Sequence, residues 1–256
     1  MNRIEKLFYK KKSGILSVYF TAGFPKLDDT EKIIRNLDEA GADMIEIGFP
    51  FSDPLADGPV IQQSSSEAIA GGMSLKVLFE HLKDIRSHTQ IPLVLMGYLN
   101  PVLQFGEINF LDKCKETGID GLIIPDMPLD YYENQLKSEF SRRGISNIML
   151  ITPNTGSERV RRIDALSTGF IYMVSSNSIT GGQNPVSQQK TYFERIKAMH
   201  LKNPALIGFG VRDKETFESV CQYASGAIIG SAFIRHLRAY GAEKESIVQF
   251  IRSIKT

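Results

Sequence analysis

Eight short apolar runs recur along the chain, at 15–20, 43–48, 92–96, 120–125, 147–152, 169–174, 204–209 and 226–230. They are rich in Ile, Val and Leu and lack a clean polar alternation, as expected of strands covered by helices. Between them, apolar positions return at helical spacing. Ile33, Ile34, Leu37 and Ala40 make one such stripe, Leu129, Tyr132, Leu136 and Phe140 a second, and Ile247, Val248, Ile251 and Ile254 a third. Two segments repeat one pattern: Ala40-Gly41-Ala42-Asp43 and Thr117-Gly118-Ile119-Asp120 each run from a helix end through Gly and an apolar residue to Asp and a strand. Glycine there accepts the left-handed conformation that stops a helix.

Eight strand–helix units in 256 residues favour a closed (β/α)8 barrel, the TIM barrel architecture, over an open sheet. No linker or composition shift divides the chain. Residues 1–256 read as a single domain, with 1–12 as an extra N-terminal helix before the first strand. In such barrels the chemistry sits at the C-terminal ends of the strands.

Composition narrows the choice of partners. Lys and Arg number 30 against 29 Asp and Glu, a formal net charge of +1, so no nucleic-acid partner is expected, because phosphate binding needs a surplus of clustered cations. The one dense basic run, 10–12, reads as a solvated helix end. No apolar run approaches the roughly 18 residues of a membrane span, and no signal-peptide core is present. The two cysteines, Cys114 and Cys221, are far apart and build neither a zinc site nor a disulfide framework. The four histidines lack metal-ligand spacing and read as surface residues. No metal is expected, and a cytoplasmic location is the simplest reading.

The strongest local signal is IEIGFPFSDPLADGP, residues 45–59. Ile45 and Ile47 share the helix-covered face, which turns Glu46 into the barrel. A buried carboxylate is costly unless paired. A core ion pair is the structural alternative, yet none of the eight runs contains Lys or Arg. Glu46 therefore reads as functional, with a pKa raised by burial and suited to moving a proton both ways. The loop that follows carries three prolines and two acids, Asp53 and Asp57. Either Asp alone could equally cap a turn or the next helix. With Glu46, they place carboxylates in different environments on one rim, as acid–base chemistry requires.

Three glycine-bearing segments follow the last three strands: SITGG (178–182), IGFGV (207–211) and AIIGSA (227–232). Glycines let backbone N–H groups approach an anion, and Gly230-Ser231 opens a helix at the barrel mouth, the usual phosphate site of these barrels. Tight turns without a ligand are the alternative. Tyr19, Ile61, Tyr98, Tyr172 and Phe209 read as core packing one by one, and together as the lining of a pocket for a flat apolar group. The polar stretch 175–189 is long for a βα loop and reads either as a lid or as a surface excursion.

In order and spacing, the 45–59 segment, SITGG, IGFGV and IIGSA resemble the alpha subunit of tryptophan synthase, over essentially the whole chain. The resemblance implies a lyase that cleaves the small-molecule substrate indole-3-glycerol phosphate to indole and glyceraldehyde 3-phosphate, a retro-aldol reaction. It implies Glu46 as the proton-transfer residue, Asp57 as the partner of the indole N–H, and Tyr172 as a secondary catalytic contact. Gly181, Gly210, Gly230 and Ser231 match the phosphate-binding positions, and Thr180 matches a lid residue that packs on Asp57. The implied partner is a tryptophan synthase beta subunit in an alpha2-beta2 heterotetramer, with Asp53, Asn100 and Pro128 near its surface. Pyridoxal phosphate belongs to that partner, and no cofactor is implied for this chain. The chain departs from the family at Phe24, where many members carry Asp, and at Ser178, where Gly is common. An isomerase or epimerase acting on small phosphosugars, and a non-catalytic phosphate-binding scaffold, are the competing readings.

Overall fold

A computed structural model of the chain describes residues 1–175, 189–208 and 210–255. Eight parallel strands close into a barrel in sequence order: β1 (Ile15–Thr21), β2 (Met44–Gly48), β3 (Leu93–Met96), β4 (Gly121–Ile123), β5 (Ser146–Ile151), β6 (Ile171–Val174), β7 (Ala205–Gly208) and β8 (Gly226–Ile229). Each predicted run overlaps one of these strands, with β1 ending one residue later and β5 starting one residue earlier than its run. β4 is shorter than its run, because Pro125 has no N–H to continue a ladder and Asp126 accepts the backbone N–H of Leu99 instead.

The residue parity read from the sequence holds in the packing. Ile45 and Ile47 belong to the layer between barrel and helices, while Met44 lies inside the barrel with Tyr19, Val94, Ile123 and Tyr172. The strands are buried on both faces, which explains their unbroken apolar character. Pro59–Ala70 and Leu75–His81 both precede β3, Leu99–Phe105 and Glu107–Glu116 precede β4, and Leu129–Tyr131 and Lys137–Arg143, joined by a π-helical turn, precede β5.

The extra helix spans Arg3–Lys10 and plugs the N-terminal end of the barrel. Asn2 caps it through a reciprocal bond pair with Glu5, and the Asn2 side chain also donates to Asp120 O and to Ser146 Oγ. Ile4 is fully buried and Phe8 packs against Phe170 at 5.8 Å. Lys11, expected to be a solvated helix end, instead pairs with Asp43 at 2.8 Å. Two of the four histidines, His81 and His236, are half-buried rather than on the surface.

The repeated Gly-apolar-Asp pattern is one device used twice. Gly41 and Gly118 adopt φ of 91° and 73°. Asp43 then accepts the N–H of Leu16 at 2.9 Å, and Asp120 accepts that of Leu93 at 3.0 Å. Each carboxylate thereby ties the start of its own strand to the preceding strand. Among the described residues, no helix is long and apolar enough to cross a membrane.

Candidate active site

β2 carries Glu46 inward, opposite Tyr19 of β1 in the ladder register. The carboxyl is fully buried. One oxygen, Oε1, accepts a 2.7 Å hydrogen bond from the Ser17 hydroxyl. The other, Oε2, has no hydrogen-bond partner. Burial pushes the carboxyl up to about 8, against the smaller lowering effect of the Ser17 bond. A Glu at that value holds its proton at neutral pH and can still give it up.

Asp57 lies on the loop between β2 and the helix Pro59–Ala70. That helix is capped by Gly58, with no side-chain cap bond, so helix capping is not the role of Asp57. Its side chain turns to the mouth, 7% exposed, and accepts a 3.2 Å bond from the Tyr98 hydroxyl. The Tyr98 oxygen in turn accepts the N–H of Ala56 at 2.9 Å, so one tyrosine holds both the loop and its acid. Burial raises Asp57 to about 6, with the Tyr98 bond opposing.

Between the two acids lie aromatic rings. Tyr19 and Tyr172 are buried, and burial raises both hydroxyls far above the ordinary tyrosine value. Each also feels the negative charge of Glu46 and of Asp57. Two glycines make room for these rings: a Cβ on Gly48 would lie 2.1 Å from the Tyr19 hydroxyl oxygen, and one on Gly208 would lie 2.1 Å from that of Tyr172. Tyr19, Phe49, Phe51, Asp57, Met96 and Tyr98 line a pocket beside them, and Ile61 packs with Tyr19 and Tyr172. The pocket joins flat apolar walls to one carboxylate at its edge, the complement of a flat ring that carries an N–H donor.

Beside β1 in the closed barrel, β8 runs into the helix Ser231–Tyr240 with Gly230, which lies against Tyr19, as its cap residue. The first N–H groups of that helix have no intrahelical acceptors and form the positive end of its dipole. Gly210, after β7, has φ of 78°, a left-handed conformation that favours glycine. Of the remaining predicted residues, Thr180, Gly181 and Phe209 lie outside the described residues. Asp53 and Pro128 are exposed on the loops after β2 and β4, and Asn100 is exposed in the first turn of the helix Leu99–Phe105 after β3. The apolar side chain of Leu55, in the first of these loops, is 80% exposed. Among the described residues, no group of three or more His, Cys, Asp or Glu is arranged to hold a metal ion.

The family model of the tryptophan synthase alpha chain matches residues 6–255. The chain belongs to that family. It is 55% identical over 255 residues to the tryptophan synthase alpha chain of Flavobacterium psychrophilum, covering 99% of this chain and 100% of the relative. The corresponding protein of Flavobacterium johnsoniae is 54% identical, with both chains fully covered. Among solved structures, the tryptophan synthase subunit alpha of Legionella pneumophila superposes with a TM-score of 0.90 and 32% identity, over 100% of this chain and 97% of that one. A tryptophan synthase complex from Pyrococcus furiosus gives 0.85 and 34%, over 95% and 98%.

Within this alpha-chain frame, sequence reasoning missed two features. It did not find Ser17, whose signal was its inward parity with Tyr19 on β1. It also read Gly208 as part of an anion-binding segment, whereas its missing Cβ makes room for the Tyr172 ring.

Proposed function

We propose that this chain is the lyase subunit of a tryptophan synthase, acting as one barrel domain to cleave indole-3-glycerol phosphate into indole and glyceraldehyde 3-phosphate in tryptophan biosynthesis. The observation that carries this reading is Glu46: a fully buried carboxyl with one bare oxygen, raised to about 8, whose ladder partner Tyr19 lines an aromatic-walled pocket edged by Asp57.

The chemistry follows from these residues. Indole carbon 3 is electron-rich and must gain a proton before its bond to the glycerol chain can break. Glu46, protonated at neutral pH, donates that proton, and the ring becomes an iminium cation. Asp57, largely ionised above about 6, accepts the ring N–H and offsets the positive charge as it develops. Glu46, now a carboxylate, takes the proton of the hydroxyl on the carbon attached to the ring. The carbon–carbon bond breaks, its electron pair returns to the ring, and the former alcohol carbon becomes an aldehyde. Glu46 ends protonated, ready for another cycle. Tyr172, buried against Gly208 within reach of the Glu46 field, packs beside the reacting carbon. The phosphate sits against the backbone of Gly181, Gly210, Gly230 and Ser231, held by N–H donors and the helix dipole rather than by cations. Thr180 belongs to the covering lid.

The exposed segments that bear Asp53, Asn100 and Pro128 face the beta subunit in this reading. Pyridoxal phosphate belongs to that partner, and both proteins act in the cytoplasm. The test is indole release from indole-3-glycerol phosphate by the purified chain, with and without a beta subunit. Slow release alone and a large increase with the partner are expected. A folded chain that releases no indole under either condition overturns the reading.

A further inference from the structure

We propose that Ser17 is a positioning residue for proton transfer: its hydroxyl pins Oε1 of Glu46 and leaves Oε2 as the oxygen that gives and takes the proton. The proposal rests on the lyase reading above for the identity of the reaction, but the contact itself does not.

The asymmetry of the carboxyl carries the inference. Ser17 and Glu46 are both fully buried, and the bond between them is 2.7 Å long, a full-strength O–H···O contact. Ser17 sits on the inward face of β1, one inward position before Tyr19, which is the ladder partner of Glu46. The contact therefore runs diagonally from β1 to β2 and draws one carboxyl oxygen toward the barrel floor. The other oxygen is equally buried and bare. A purely structural carboxyl would have both oxygens satisfied, because an unpaired buried polar atom is costly. Half-satisfaction is what a proton carrier needs. A neutral carboxyl has one acceptor oxygen and one that bears hydrogen. The serine hydrogen occupies the acceptor, so the proton resides on the oxygen that faces no protein partner.

Ser17 also acts on both halves of the cycle. In the acid half it stops the terminal carboxyl torsion, otherwise broad, from rotating the proton away from the ring carbon. In the base half, Glu46 is a carboxylate and the serine bond becomes charge-assisted and stronger. It therefore favours the ionised form and keeps burial from making proton donation too difficult. No proton passes through Ser17: one proton leaves Oε2 for the ring carbon, and another returns to Oε2 from the substrate hydroxyl.

The experiment compares Ser17→Ala with Ser17→Thr, which keeps the hydroxyl, in the chain assayed with its beta partner. For Ser17→Ala the expected result is a fall in kcat of about tenfold with KM unchanged, smaller than the roughly 10²- to 10⁴-fold of losing the acid–base group itself. The alkaline limb of its pH profile should move upward, because a bond that favours the ionised form is gone. Ser17→Thr should restore most of kcat and return the limb. An unchanged kcat and limb in folded Ser17→Ala, or a threonine variant as impaired as alanine, overturns the proposal. Should Ser17→Ala fail to fold, Ser17→Cys, close in size and a weak donor, takes the same readings. Infrared titration of 13C-labelled glutamate, with Glu46→Gln as the subtraction, reads the carboxyl without turnover. A raised Glu46 pKa in the alanine variant supports the proposal, and an unmoved one sinks it. A chain that cleaves no indole-3-glycerol phosphate refutes the lyase reading separately, and the infrared result then still decides whether Ser17 holds Glu46.

Discussion

The two ends of this barrel treat buried acids in opposite ways. At the N-terminal end, Asp120 accepts from Arg86 at 2.7 Å, from Arg3 at 3.2 Å and from the N–H of Leu93. Asp43 takes Lys11, Lys255 and the N–H of Leu16. Asp164 takes the backbone N–H groups of Lys202 and Asn203. At the mouth, Glu46 has one serine hydroxyl and Asp57 one tyrosine hydroxyl. The acids at the closed end are ion-paired or multiply hydrogen-bonded and fasten strands and the plugging helix. The acids at the mouth are left short of partners, so burial raises them to about 8 and about 6. The same side-chain chemistry becomes structural or reactive according to how many donors surround it.

Exchanging the two treatments tests the contrast. The largest effect is expected at Glu46. Glu46→Gln should cut indole release by about 10²- to 10⁴-fold, the scale of a lost general acid and base. Its stability should change in the opposite sense. Below the ordinary value of 4.5, folded and unfolded Glu46 are both protonated and the group contributes no pH dependence. As pH rises from there to about 8, only the unfolded chain ionises, so the folded state loses stability, by on the order of 5 kcal/mol in all. Gln has no such loss. Urea unfolding at pH 5 and pH 9 should show the wild type losing far more stability than the variant. Equal losses would mean that Glu46 is not held neutral.

Asp120→Ala is the mirror experiment. It leaves Arg86 half-buried without its carboxylate partner and the Leu93 N–H without an acceptor, at a cost of about 3–5 kcal/mol. Turnover of the folded protein should be unchanged, because the site lies at the other end of the strands. A chemical-denaturation midpoint that does not move, or a kcat that falls with it, contradicts the division of labour between the ends.

Much of this contrast was legible along the chain. Strand parity turned Glu46 inward, and the lack of any Lys or Arg in the eight runs left it without a strand partner. The Gly-apolar-Asp repeat marked the strand starts at Asp43 and Asp120, although not what their side chains bind, because Arg86 and Lys255 come from helices distant in sequence. Tyr98 was legible as a wall residue, but its bond to Asp57 was not, since 41 residues separate them and only the pairing of β2 with β3 sets the two segments side by side. Ser17 was missed for the same reason: a serine in an apolar run carries no sign of which acid it will meet. Gly48 and Gly208 look like turn residues in sequence, and their use as clearance for two tyrosine rings appears only when neighbouring strands are in register.

A smaller effect is expected in the pH dependence that the two mouth acids impose together. Cleavage needs Asp57 ionised and Glu46 protonated, so kcat/KM should be bell-shaped, falling about tenfold per pH unit below about 6 and again above about 8. Asp57→Asn should remove the acid limb, lower the plateau and keep the alkaline limb. A profile flat from pH 5 to 9 would separate these carboxyls from the chemistry.

The smallest effect tests the single bond that tunes Asp57. The Tyr98 hydroxyl favours the ionised carboxylate by donating to it and holds the loop by accepting from Ala56. Tyr98→Phe keeps the aromatic wall and its contact with Phe51, whose ring centroid is 5.4 Å away. Only the hydroxyl is lost, at about 1 kcal/mol for a neutral bond and more when the acceptor is charged. Burial is then opposed by nothing on Asp57, so its pKa rises and the acid limb moves toward neutrality. Indole release should therefore fall several-fold near pH 6.5 and approach the wild-type rate near pH 8, where Asp57 is ionised in both proteins. A loss of equal size at both pH values would show instead that Tyr98 acts through loop geometry. The donor count at Asp57 would then not be what sets its charge.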